Sequence, residues 1–137
     1  MHTSKKWLSI AGLVLHGLIA APMVLAGGMK LLAPPAVVEG AQKAGLGDHL
    51  LLIGTGELIT AVLLVVPRTS SLGVLLASAF WGGAIVAHMS HGEPYVVPSV
   101  LLALTWLGAY LRLPAMFGSF AGARTAEPGA PSTSLAA

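Results

Sequence analysis

Residues 69–87 read TSSLGVLLASAFWGGAIVA, nineteen positions without one ionisable side chain. A helix needs ~20 mostly apolar residues to cross the hydrocarbon core of a bilayer, and this stretch supplies them. The same reading extends outward in both directions. Residues 7–29, between Lys6 and Lys30, carry only His16; residues 50–67 carry only Glu57; residues 94–111 are uncharged and are closed by Arg112. The first and third stretches have full spanning length, while the second and fourth are shorter and rely on tilt and flanking anchors.

Composition agrees with that reading. Apolar residues make up 55% of the 137 positions and charged residues 9%, against about 25% charged in ordinary soluble domains. A soluble fold of this size could not cover its surface with so few charges; lipid removes the requirement. The net charge of +2 comes from seven Lys and Arg scattered along the chain, with no basic patch to neutralise phosphates, so nucleic acid is not an expected partner. There is no cysteine, which excludes disulfides, thiolate catalysis, Fe–S clusters and Cys-type zinc sites.

The breaks between spans carry turn chemistry. Ala33-Pro34-Pro35 cannot continue a helix, and Gly40, Gly45 and Gly47 interrupt the next segment, so residues 33–48 read as a loop with one short interfacial helix over 37–44. Pro67-Arg68-Thr69-Ser70 is a tight link that suits antiparallel neighbours, and His91-Gly92-Glu93-Pro94 makes a second sharp turn. The expected fold is all-α: an integral membrane four-helix bundle of up-down topology, with both termini on one side. The transmembrane domain covers residues 1–116, and a Gly-, Ala-, Pro-, Ser- and Thr-rich tail over 117–137 is expected to be disordered. The terminal side collects Lys5, Lys6, Arg68, Arg112 and Arg124, and the opposite loops hold Lys30 and Lys43. Five cations against two predict cytoplasmic termini in a bacterial-type inner or plasma membrane. The rival reading of the first segment, a cleaved secretory signal ending near Val24-Leu25-Ala26, is disfavoured by an apolar stretch longer than a usual signal core.

Ionisable groups inside a bilayer are costly, so each is a functional candidate. Glu57 lies about 12 Å along its helix from His49 and shares a face with Gly54 and Ala61, small residues of the kind that mark helix-packing faces. It therefore points into the bundle, where it serves either as a protonated acid facing a ligand or as a carboxylate paired with Lys30 or a histidine. A plain interhelical hydrogen bond is the structural alternative. Val74, Ala77, Trp81, Ala84, His88 and His91 form one stripe on the third span. The two imidazoles at its end suit a proton relay or ligand contact. They also make a weak metal pair that would need further ligands, and otherwise they cap the helix end and contact headgroups. On the first span His16 lies on the small-residue face near mid-depth, a candidate partner for Glu57. Lys30 snorkels outward by default. Trp81 and Trp106, with His16, are candidates to wall an apolar cofactor-binding pocket; otherwise the two indoles simply fill the core.

Gly28-x-Lys30-Leu31, Gly54-x-Gly56-Glu57-Leu58, Pro67-Arg68-Thr69 ahead of Gly73, Gly83-Ala84 ahead of His88, and His91-Gly92-Glu93-Pro94 occur in that order. In this the chain resembles the DoxX-like family of small four-helix membrane proteins, from about Gly28 to Arg112. The resemblance singles out Lys30, Glu57 and His88, the positions chosen on physical grounds; His16 and His91 are less typical of it. It also implies a link to membrane redox systems, some of which deliver electrons to quinone. The expected function is thus an accessory subunit of a membrane oxidoreductase, holding a quinone-like or other lipophilic ligand in the outer half of the bundle. Two alternatives stand beside it: a self-sufficient acid–base isomerase or cyclase using Glu57, and a structural or assembly protein. A homo-oligomer is compatible with the small-residue faces.

Overall fold

The computed structural model describes residues 2–118, with side chains from residue 6 onward. Its elements are helices α1 (His2–Leu32), α2 (Pro35–Lys43), α3 (Leu50–Val65), α4 (Ser70–Ser90), α5 (Val96–Arg112) and α6 (Pro114–Gly118), with a 3-10 turn at Gly47–His49 before α3. Helices α1, α3, α4 and α5 pack in a ring, each against its chain neighbour, and α5 closes back onto α1. This is the antiparallel bundle that the short links at 66–69 and 91–95 demand. Segments Lys6–Leu32, Gly47–Val65 and Ser70–Ser90 are long and apolar enough to cross a membrane; α5 is a shorter apolar helix of about 26 Å. The expected interfacial helix is α2, which begins two residues earlier than its sequence pattern suggested.

The distribution of side chains is that of a membrane protein. Leu18, Leu25, Leu51, Leu52, Ile59, Val62, Val86 and Val97 face outward, whereas the interior holds His16, Glu57, Thr60, Ser70 and Thr105 beside Ile19, Met23, Leu64, Val74, Ala77 and Ala109. Water would penalise that exterior. Lipid does not, because burying apolar groups between helices gains nothing when the solvent is itself hydrocarbon; close packing of small residues holds the helices together instead.

Three glycine contacts set the packing. A methyl on Gly27 would come within 2.8 Å of the Gly54 carbonyl oxygen, and one on Gly54 within 2.9 Å of the Gly27 oxygen, so α1 and α3 touch backbone to backbone. A methyl on Gly12 would come within 2.7 Å of the Gly108 oxygen and 2.8 Å of Arg112 Cβ, which fixes α1 against α5. At the α3–α4 link, a methyl on Gly73 would fall 2.5 Å from Leu64 Cα and 2.6 Å from Leu63 C.

Lipid-side helix ends must have their carbonyls satisfied internally. At the end of α3, Thr69 Oγ1 donates to Leu63 O at 3.1 Å, and Ser70 Oγ to Leu64 O at 3.1 Å and Val66 O at 2.8 Å. Arg112, reaching across from α5, donates to Leu64 O at 3.1 Å and Val65 O at 2.8 Å. Helix α1 ends differently. Ala33 donates its N–H to Met29 O at 3.0 Å and takes φ 47°, a left-handed conformation that costs an L-residue about 1–2 kcal/mol. Pro34 and Pro35 then stop α1 and start α2, with Pro35 where a missing N–H is harmless.

Levels along the bundle follow from these contacts. Gly12 packs beside Arg112 at the last turn of α5, so the first turns of α1 project past the other helices, and Trp7, Leu8 and Ile10 are exposed there. His16 consequently lies about one turn inside the Arg112 end, and its mid-depth assignment is corrected. The tail expected from residue 117 lies beyond the described residues apart from Phe117 and Gly118. Those two complete α6, where the Phe117 ring meets Trp106 and Tyr110 edge-on at centroid distances of 6.1 and 5.7 Å.

Two substitutions test this packing in detergent, by thermal or denaturant unfolding. Gly73→Ala places a methyl on backbone that cannot move aside and should cost about 3 kcal/mol, the upper range for overpacking. Ala33→Gly should do the reverse, raising stability by about 1 kcal/mol through relief of the left-handed residue.

Candidate functional site

The α1–α3 contact at Gly27 and Gly54 positions two further residues, each three places on: Lys30 and Glu57. Residues three apart share a helix face, so the closest approach of the two backbones aims both side chains into one space. Lys30 Nζ donates to both carboxylate oxygens of Glu57, at 2.9 Å to Oε1 and 2.8 Å to Oε2. Glu57 is 2% exposed and the Lys30 side chain 25%. Lys30 therefore turns inward and does not snorkel, and of the two states open to Glu57 this geometry matches the paired carboxylate. Breaking such a pair from one side leaves an uncompensated buried charge, which typically costs about 3–5 kcal/mol.

Beside the pair lies a cavity of about 720 Å³ between α3, α4 and the α2 loop. Lys30 and Glu57 form part of its wall; Leu50 and Ile53 of α3, and Phe80, Trp81 and Ala84 of α4, make it largely apolar. Gly40, Ala41 and Lys43 of α2 border it, and His88, His91 and Glu93 line it from the end of α4 and the following turn. The stripe seen in the sequence from Trp81 through Ala84 to His88 and His91 thus becomes one wall.

The two terminal histidines are differently held. His91 Nδ1 lies 2.8 Å from Ala87 O; a carbonyl only accepts, so this nitrogen carries the proton and caps the last turn of α4. His88 Nδ1 lies 3.1 Å from Glu93 Oε2, without hydrogen-bond alignment, and is otherwise unpartnered. No group of three or more His, Cys, Asp or Glu able to hold a metal occurs among the described residues, so the His88–His91 pair has no third ligand in this arrangement.

Trp81 is 8% exposed, and its edge meets Phe80 at a centroid distance of 5.4 Å. Its indole Nε1–H has no acceptor among the described residues. A buried donor left unpaired costs about 1–3 kcal/mol, and such groups in native folds call for an explanation.

His16 and Trp106 do not join this site. Glu57 packs against α1 at the level of Gly27, eleven residues from His16, or about 16 Å along the axis. That separation overturns His16 as a partner for Glu57. Instead His16, fully buried, directs Nε2 at Thr105 O, 3.2 Å away, and its Nδ1 lies 3.4 Å from Arg112 Nη1. The carbonyl can only accept and the guanidinium can only donate, so this His16 is the neutral Nε2–H tautomer. Gly108 makes room for the ring: a methyl there would lie 2.5 Å from its Cδ2. Trp106 packs on Phe117 and does not line the cavity. Sequence reasoning overlooked Phe80, Leu50 and the α2 border of the cavity, and also the role of Arg112 as a cap. The paired spacings Gly27-x-x-Lys30 and Gly54-x-x-Glu57 carried the signal that could have matched α1 to α3.

No curated protein and no solved structure matches the chain. The pattern of one protein family does, over residues 14–108. That stretch contains the Lys30–Glu57 pair, the Gly27–Gly54 contact, the α4 wall of the cavity and the turn after it; Gly12 and Arg112 lie outside it. The chain is an integral membrane protein that belongs to the DoxX-like family.

Proposed function

We propose that this protein binds a neutral lipophilic ring compound, of quinone type, in the cavity beside Lys30 and Glu57, as the small subunit of a membrane redox system. The observation that carries the reading is an apolar cavity of about 720 Å³ with a buried ion pair in its wall. Its size falls within the range of small-molecule sites, and such sites join apolar walls to a few convergent polar groups. The ion pair is neutral as a unit and suits an uncharged ligand. Glu57, held as a carboxylate by Lys30, is the group that accepts a proton from a ligand hydroxyl when the reduced ring is oxidised, with His88 nearer the mouth. Electrons come from or go to a partner oxidoreductase, because a chain without cysteine offers no thiolate to carry them or to hold an Fe–S cluster.

The acid–base enzyme reading asks for Glu57 as a free neutral acid, which a lysine bonded to both its oxygens does not favour. The structural reading, in which the pair only joins α1 to α3, is separated by a double replacement. Lys30→Met alone should destabilise the protein by about 3 kcal/mol, and Lys30→Met with Glu57→Leu should recover most of that loss, as apolar replacement of whole buried pairs often does. Binding of a short-chain ubiquinone analogue is then measured by ligand-induced thermal stabilisation in detergent. The functional reading expects the stable double variant, and Ala84→Phe, which fills the cavity, to bind at least tenfold more weakly. Unchanged binding in both variants rejects it, and unchanged binding in the double variant alone reduces the pair to glue.

On the same reading the Arg112 end of the bundle faces the cytoplasm. Lys6, Arg68 and Arg112 gather at that end, against Lys30 and Lys43 at the other, as the positive-inside rule requires. The chain has no native cysteine, so single introduced thiols report sidedness directly. Gln42→Cys should react with an impermeant maleimide on intact cells, and Thr3→Cys only after permeabilisation; the opposite pattern inverts the topology.

A further inference from the structure

Helices α3 and α4 meet tightly at one end and part at the other. Near their link Gly73 packs on the Leu63–Leu64 backbone, and Val74 and Ala77 are fully buried. Toward the Lys30 end the cavity separates the two helices, with Leu50, Ile53 and Glu57 on its α3 side. On its α4 side the wall does not stop at the inward stripe of Trp81, Ala84 and His88. It continues around the helix through Phe80 and Ala87 to Ala79 and Gly83. Those last two are exposed and stand nearly half a turn from buried Trp81, so they face away from the bundle axis. The same residues belong to the cavity and to the exterior, which means that the cavity opens sideways between α3 and α4.

The depth of this opening names what fills it. Helix α4 has 21 residues, about 31 Å at 1.5 Å per residue, which matches the thickness of a hydrocarbon core. Gly83 and Ala79 lie about 10 and 16 Å inside its last residue, Ser90. Around a membrane-spanning helix the medium at that depth is acyl chain, neither water nor headgroup. An apolar slot left empty there would forfeit van der Waals contacts that a chain supplies. The cavity is graded in the same sense: Lys43, His91 and Glu93 border its outer end, and Ile53, Ala79 and Phe80 its deep end. Gly83 leaves the slot open, since a methyl there would meet nothing within 4 Å.

We propose that an acyl chain of a bilayer phospholipid enters the cavity through this side opening and lies against Ile53, Phe80 and Gly83, with its headgroup at the end bordered by Lys43 and Glu93. The opening is then the route by which the cavity exchanges lipophiles with the membrane. The inference goes beyond the ring-compound reading and stands without it.

Trp81 reports on the chain directly, because bromine quenches indole fluorescence at near-contact range and Trp81 lines the cavity while only 8% exposed. Trp7→Phe with Trp106→Phe leaves it as the sole survivor of three tryptophans. This full-length form is reconstituted into phosphatidylcholine vesicles and into vesicles of the same lipid brominated at mid-chain. The brominated lipid should remove at least half of the Trp81 emission. Gly83→Leu, which puts a side chain into the slot, should cut that loss at least twofold. Ala79→Leu fills the slot from a second position and should repeat the effect. Gly82→Leu is the matched control: it also has open space around it but does not line the cavity, and it should leave the quenching unchanged. Equal quenching in all four forms overturns the side opening, as does a Trp81 that brominated lipid leaves bright. Binding of the ubiquinone analogue together with quenching that ignores Gly83→Leu and Ala79→Leu removes this inference and leaves the ring-compound reading in place. Slot-dependent quenching without analogue binding does the reverse.

Discussion

Everything distinctive about this bundle depends on how closely α1 approaches α3. Gly27 and Gly54 face each other with no side chain between them, and only at that distance does a lysine three residues on meet a glutamate three residues on. In hydrocarbon no solvent squeezes helices together, so the contact is made by packing and by the charge pair together. The pair in turn tolerates its depth because each member removes the other's charge. A methyl added at either glycine would force the backbones apart and pull the two charged side chains away from each other.

The two ends of the bundle have been finished to different degrees. At the Arg112 end the polar groups form a closed set: Thr69, Ser70 and Arg112 cover the last carbonyls of α3, and His16 is bonded on both ring nitrogens by Thr105 and Arg112. Among the described residues, none of these groups is left over for a ligand. At the Lys30 end α2 and its loop border a cavity, and among the described residues neither the Trp81 indole nor His88 Nδ1, which lies 3.1 Å from Glu93, makes a hydrogen bond. The unfinished end is where binding is to be sought.

Much of this was legible in the sequence. Four apolar stretches separated by Pro-Pro, Pro-Arg-Thr and His-Gly-Glu-Pro breaks predicted four antiparallel helices, because proline and glycine act locally. The α4 stripe from Trp81 to His91 was legible for the same reason: residues at helical spacing share a face whatever the rest of the chain does. The depth of His16 was misread because sequence counts residues from the start of α1, whereas depth is measured from where the other helices end. Of the two places open to Trp106, pocket wall or core, the second matches its packing against the core and the Phe117 ring of α6, a helix of five residues that reading α5 alone does not name as its neighbour.

The sequence by itself determined the solvent of this protein, the number and order of its helices and the identity of its intramembrane charges. These are properties of composition and of local backbone geometry, and no distant contact can change them. Which charges meet was decided only by the tertiary structure. Lys30 and a histidine, His16 foremost, were open partners for Glu57, and the choice fell to the register at which two glycines allow two backbones to touch. The same register left the space between α3 and α4 unfilled, and no reading of either helix alone contains that space.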